Sequence, residues 1–101
     1  MLHRHFLHMV GLMMSTKVVV SAGEAARRRF AENVRRQRGE RTQEMIEARG
    51  GPEQSRLSRI ERGEIRFMSW DTLVDLCVAL DCRPSHLFAG LDDVVGVDAT
   101  T

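Results

Sequence analysis

The sequence predicts an all-α fold, a compact domain of five short helices. Three observations carry this prediction: apolar residues recur at helical spacing, capping residues precede the apolar runs, and glycines follow them. The chain has 101 residues, of which 43% are hydrophobic and 29% charged, as expected for one globular domain. We therefore expect a single core formed between helices.

The first two predicted helices are separated by a short link. Helix one covers residues 24–39, because Ala26, Phe30 and Val34 stand four residues apart on one face. Helix two follows Thr42, whose hydroxyl suits an N-cap, and it is only about two turns long.

A pair of glycines ends helix two and leads into the third predicted helix. Pro52 is suited to the first position of that helix, which we predict over residues 52–62. Leu57 and Ile60 stand three residues apart and are expected to face the core.

The strongest core pattern belongs to helix four, which follows the N-cap Ser69. Its apolar residues at helical spacing are Trp70, Leu73, Val74, Leu76, Cys77 and Leu80. Asp71 and Asp75 fall on the solvent side of the same helix. A fifth helix of one turn is expected to close the core with Leu87 and Phe88.

Charge is distributed unevenly along the chain, although the net charge is only +1. Residues 24–70 contain twelve arginines and eight glutamates, a balance of +4, whereas residues 71–101 contain one arginine and six aspartates, a balance of −5. Arginine pairs with phosphate and with guanine edges, so the first region is suited to a nucleic acid. The alternative is a solvated helical surface on which glutamates pair with arginines.

The residues that carry chemistry in enzymes do not form a recognisable site here. Cys77 and Cys82 are five residues apart, which is not a zinc-ligand spacing, and we expect both thiols to be reduced. Three histidines, His3, His5 and His8, lie in the N-terminal segment and are expected to be incidental. We expect no cofactor, no metal and no enzymatic activity.

Helices two and three have the parts of a DNA-reading unit. They are short, a glycine-containing turn joins them, and the second carries polar residues opposite Leu57 and Ile60. A helix fits the major groove by width, and residues near its N-terminus reach the base edges. The pattern indicates a helix-turn-helix.

Two sequence stretches strengthen this interpretation. Thr42-Gln43-Glu44, followed by residues 55–63 with the sequence SRLSRIERG, closely resembles the Xre-type family of phage Cro and repressor proteins. The resemblance extends over residues 28–90 and implies a lambda-repressor-like domain. It also implies a cytoplasmic transcriptional regulator, a repressor of the Cro kind, that binds a double-stranded DNA operator as a homodimer.

The resemblance also assigns roles to side chains. Gln43 matches a glutamine that bonds a phosphate at the start of helix two, and Arg56 and Arg62 are expected to touch phosphates as well. The positions that match base-contacting side chains are Gln54, Ser55 and Arg59. Glutamine can pair with adenine and arginine with guanine, so these residue types suit that role.

One further pair is implied to be structural. Glu61 matches an acidic residue that pairs with an arginine of helix one, and Arg38 is the favoured partner, with Arg36 as the alternative. The chain departs from the family pattern at Glu47, where the family has a small residue, and at Gly50 and Pro52, where it has apolar ones. The link between helices one and two is also shorter than usual.

We divide the chain into three regions. Residues 1–23 form an N-terminal extension, either flexible or a short strand within residues 16–21, with a secretory signal as the less favoured alternative. Residues 24–90 form the helix-turn-helix domain, and residues 91–101 form a C-terminal tail. The alternative function is that of an antitoxin-type or adaptor protein whose helical domain binds a protein partner, such as a toxin.

Overall fold

The computed structural model describes residues 21–96, which form six helices and, in this part of the chain, no strand. The helices are α1 (Ala22–Arg38), α2 (Gln43–Ala48), α3 (Gln54–Glu61), α4 (Trp70–Leu80), α5 (Pro84–Leu87) and α6 (Leu91–Val95). The predicted all-α fold class is confirmed. The strand predicted from residues 16–21 lies outside the described residues except for Ser21. None of the six helices is long and apolar enough to cross a membrane.

Helix α1 begins and ends at residues that satisfy its free backbone groups. The Ser21 hydroxyl accepts a hydrogen bond from the Glu24 amide at 3.0 Å, so the helix begins two residues earlier than predicted. Gly39 ends it with a φ of 60° and donates its amide to Arg35 O at 3.0 Å. The end predicted from that glycine is therefore confirmed.

Helix α3 begins at Gln54, so the prediction that Pro52 opens it is wrong. Helix α2 ends at Ala48, and four residues connect it to Glu53, which is the N-cap of α3. Thr42 caps α2 as predicted, because its hydroxyl accepts the Met45 amide at 3.1 Å.

Helix α4 is capped as predicted, but it is rotated relative to the predicted orientation. Ser69 accepts the Thr72 amide at 3.1 Å. Trp70 is 81% exposed and Val74 56% exposed, so their predicted burial is wrong. The helix packs against α2 and α5 through the side that carries Ala79 and Leu80, which leaves the other apolar side uncovered.

The segment after α4 folds back onto α1. Leu87 is buried as predicted, whereas Phe88 is 42% exposed and packs against Phe30, with the ring centroids 5.4 Å apart. Residues 91–95 form α6, which contacts α1, although a tail was predicted there. The buried amide of Asn33 explains the return, since it donates to Leu87 O at 2.8 Å and to Ala89 O at 2.9 Å.

The core is formed by residues from α1 to α5, and both helices of the predicted helix-turn-helix contribute to it. Its buried members are Val34, Ile46, Leu57, Ile60, Leu76, Cys77, Ala79, Leu80 and Leu87. Gly51, in the turn between α2 and α3, lies directly over this core. A Cβ atom there would stand 2.8 Å from Ile46 Cγ2 and 3.0 Å from Ala79 Cβ. The turn therefore needs glycine for space.

We expect Gly51→Ala to destabilise the fold by about 1–3 kcal/mol, because the added methyl group overpacks the contact with Ile46 and Ala79. Gly23→Ala is the matched control, since a Cβ there meets nothing closer than 3.6 Å. It should leave stability unchanged or raise it by up to about 1 kcal/mol. Urea unfolding of both variants measures the difference, and equal midpoints would show that the turn has spare room.

Candidate nucleic-acid interface

Helices α2 and α3 form the helix-turn-helix unit predicted from the sequence. Helix α3 packs against both α1 and α2, with Leu57 and Ile60 buried at the contact. The opposite face of α3 is exposed to solvent along its length. This arrangement presents one polar helix face on a rigid support, as insertion into a groove of DNA requires.

A buried carboxylate fixes α3 to α1. Glu61 is only 4% exposed, and its Oε2 accepts from Arg38 Nε at 2.6 Å while its Oε1 accepts from Arg38 Nη2 at 2.7 Å. The hydrogen bond with Glu61 raises the pKa of the Arg38 guanidinium. Arg35 donates to the backbone carbonyl of Glu61. Arg36, the alternative partner, donates instead to Asn33 Oδ1 at 2.8 Å.

Gln43 extends this network to α2. Its Nε2 donates to Glu61 Oε1 at 3.0 Å, and its Oε1 accepts from Gln54 Nε2 at 3.1 Å. One N–H of the Gln43 amide group is thus used by Glu61, and the second remains for another acceptor. The structure therefore brings together two of the predicted DNA-binding residues and joins them to the ion pair.

The other predicted DNA-binding residues lie along α3 itself. Ser55, Arg59 and Arg62 are exposed and fall within about 60° of each other around the helix, opposite the buried side. Arg56 is half-buried at the other edge of this surface. The predicted residues do not converge on one point. They form a strip that a long ligand could follow.

Arg62 already has partners within the protein. Its Nε donates to Glu64 Oε2 at 2.9 Å, and its Nη1 donates to Ser58 Oγ at 2.5 Å. The hydrogen bond between the two charged groups raises the pKa of Arg62 and lowers the pKa of Glu64. Both side chains are exposed, so this pair can open to release the arginine at little cost.

The role of Glu47 was missed by the sequence analysis. Its Oε1 accepts the Gln54 amide at 2.8 Å, so a carboxylate from α2 caps the first turn of α3. Glu53 lies at the same end and accepts from Ser55 Oγ at 3.1 Å. The only available signal was the acidic residue in place of a small one, and it did not indicate which amide the carboxylate would meet.

Part of the arginine excess is structural. Arg49 Nε donates to Ala79 O at 2.8 Å, and Arg41 Nη2 donates to Leu80 O at 3.3 Å, so both satisfy carbonyls at the end of α4. Arg41 also donates to Gln37 O at 2.6 Å. The charge balance of residues 24–70 therefore overstates the cationic surface that is available to a polyanion.

We expect Glu61→Ala to lower stability by about 3 kcal/mol, because Arg38 would be left partly buried without its partner and Gln43 would lose an acceptor. Glu64→Ala is the control, since it removes one partner of an exposed ion pair. Chemical denaturation of both variants tests the difference. A Glu61→Ala midpoint equal to that of Glu64→Ala would remove the buried pair as a stabilising contact.

Comparison with known proteins supports the architecture described above. A family model described as a helix-turn-helix domain matches residues 28–89, which include α2, α3 and the residues that connect them. Searches of curated proteins and of solved structures found no match. The family match covers more than half of the chain and confirms the helix-turn-helix resemblance seen in the sequence. The chain belongs to the helix-turn-helix domain family.

Proposed function

We propose that this protein is a sequence-specific transcriptional regulator that reads the major groove of double-stranded DNA with α3. The family supports DNA binding in general. The observation that carries the finer proposal is the exposed strip of Ser55, Arg59 and Arg62 on a helix whose other side is fixed by the core and by Glu61. A rigid support matters because base recognition requires side chains held in one register.

The proposed roles divide the site into reading and positioning residues. Gln54, Ser55 and Arg59 contact base edges, since they stand on the first two turns of α3. The phosphate contacts are made by Gln43, Arg56 and Arg62. Gln43 keeps one N–H for a phosphate while it holds the side-chain amide of Gln54.

The operator is proposed to be partly palindromic and bound by a homodimer. A single helix of eight residues reaches only a few base pairs, and a second copy doubles the length of the site. Repression by occupancy of such an operator, in the manner of Cro proteins and within the cytoplasm, is the simplest regulatory outcome for a domain of this size.

A protein-binding role is the second candidate. It is favoured by the large apolar side chains at the surface, among them Phe67, which is 86% exposed, and Trp70. An antitoxin or an adaptor would use such a surface to bind another protein. An affinity for DNA that does not change with salt concentration would favour this candidate over the first.

Arg59→Ala should weaken binding to the cognate duplex by about 1–3 kcal/mol and relax the preference at one base position, because a lost base contact removes identity as well as affinity. Arg56→Ala should weaken cognate and scrambled duplexes by similar factors, since a phosphate carries no base identity. The duplex is first selected from a random pool, and both variants are titrated at one salt concentration. Equal weakening of every duplex by Arg59→Ala would make Arg59 a phosphate ligand.

Affinity for the selected duplex should fall steeply with salt, because arginines on α3 displace condensed counterions from the phosphates. Arg56→Ala should make the slope of log affinity against log salt shallower by about one phosphate contact. Titrations at several salt concentrations measure both slopes. Binding that does not change between low and moderate salt would exclude the arginine strip as the interface and favour the protein-binding candidate.

A further inference from the structure

Helix α4 carries an apolar stripe that no described residue covers. The α4 stripe consists of Trp70, Val74 and Val78, spaced four residues apart on one side of the helix. Val78 is 67% exposed and Trp70 is more exposed still. Apolar side chains that line up on an exposed helix face indicate a binding surface, whereas scattered ones do not.

The stripe borders a groove on one side. The groove has a volume of about 310 Å³ and lies between α1 and the start of α4, and its apolar walls include Phe30, Ile65, Met68, Trp70 and Leu73. Two arginines, Arg27 and Arg66, also line it. Trp70 belongs to both features, so the groove and the α4 stripe form one continuous surface.

Opposite charges lie on the two sides of the α4 stripe. Each residue of a helix is turned by about 100° from the one before it, which places Asp71 and Asp75 beyond Val78, on the side away from the groove. Within residues 21–96, neither aspartate forms an ion pair, and neither Arg27 nor Arg66 does. The Nε of Arg27 is buried without a hydrogen-bond partner. The surface therefore has a cationic side, an apolar centre and an anionic side.

We propose that this surface binds a second copy of the chain, with the two α4 helices parallel along a two-fold axis. Such an axis brings the cationic side of each copy to the anionic side of the other, so that Arg66 meets Asp71 and Asp75 of its partner on both sides of the axis. An axis perpendicular to α4 would instead place aspartates against aspartates. The apolar centres meet in either case, so charge selects the parallel arrangement.

A second copy fits this surface better than the other occupants. The N-terminal residues 1–20 contain Arg4 and Lys17 and no acidic residue, so they match the aspartates but not the arginines. An acidic partner would match only the arginines. A partner that matches the aspartates and the arginines must carry a cationic side and an anionic side with an apolar stripe between them. A second copy of this chain carries that surface.

The inference rests on the proposed function in one respect, since a two-fold reader of DNA needs a face for its second copy. It is measured without DNA, so the two can fail separately. A dimer that binds no duplex would contradict the proposed function alone. A chain that binds a selected duplex but stays monomeric in solution would contradict only this inference.

Charge reversal tests the arrangement in analytical ultracentrifugation of the full chain. Arg66→Asp and Asp71→Arg should each raise the dimer Kd about ten-fold or more, because each replaces two attractions with two repulsions. An equimolar mixture of the two variants should dimerise with near-original affinity, since every cross-pair in the mixed dimer is again of opposite sign. Glu44→Arg, which also removes an acidic residue from the first turn of a helix, should leave the Kd unchanged.

Three results would overturn the proposal. The unaltered chain could remain monomeric at concentrations well above about 100 µM, a range in which even a weak protein dimer forms. The mixture of Arg66→Asp and Asp71→Arg could fail to restore the dimer although both variants show the helical circular dichroism of the unaltered chain. A tighter dimer of Asp71→Arg alone would indicate the antiparallel arrangement.

Discussion

The carboxylate of Glu61 is the contact on which the arrangement of the first three helices depends. It belongs to α3, accepts two hydrogen bonds from Arg38 of α1 and one from Gln43 of α2, and is almost fully buried. A carboxylate in that position must be saturated with donors, because a buried charge without partners is strongly unfavourable. Because the Glu61 carboxylate needs hydrogen-bond donors from α1 and α2, it fixes how these helices pack against α3. The apolar contacts of Leu57 and Ile60 supply the burial, and the ion pair supplies the register.

Arginine serves two purposes in this chain, and the distinction explains why net charge is a weak guide to its surface. Arg41 and Arg49 reach across to carbonyls at the end of α4, where the helix leaves acceptors without intrahelical donors. Each ties one part of the chain to another. Arg59 lies on the exposed face of α3 and takes no part in that bracing. The first group stabilises the fold, and the second is left exposed on α3.

Sequence reasoning succeeded where a local rule applied and failed where packing decided. Caps at Thr42 and Ser69 and the stop at Gly39 follow from backbone chemistry within one turn, and the structure has them. Trp70 follows the helical spacing of the apolar residues but is exposed. Helical spacing alone does not show which of two apolar sides of a helix meets the core. Helix α6 was missed since its stability depends on α1, a contact remote in sequence. The roles of the exposed α3 side chains remain predictions.

The cap that Glu47 provides has a consequence for the chemistry of the proposed DNA complex. Helices that bind anions do so by pointing the free amides of their first turn at the ligand, and the helix dipole adds to the attraction. In α3 the Gln54 amide is already bonded to a carboxylate, and Glu53 places a second negative group at the same end. That amide is therefore not free to bind a phosphate. In the proposed complex the phosphate contacts therefore fall to side chains, those of Gln43, Arg56 and Arg62, and not to the amide at the start of α3.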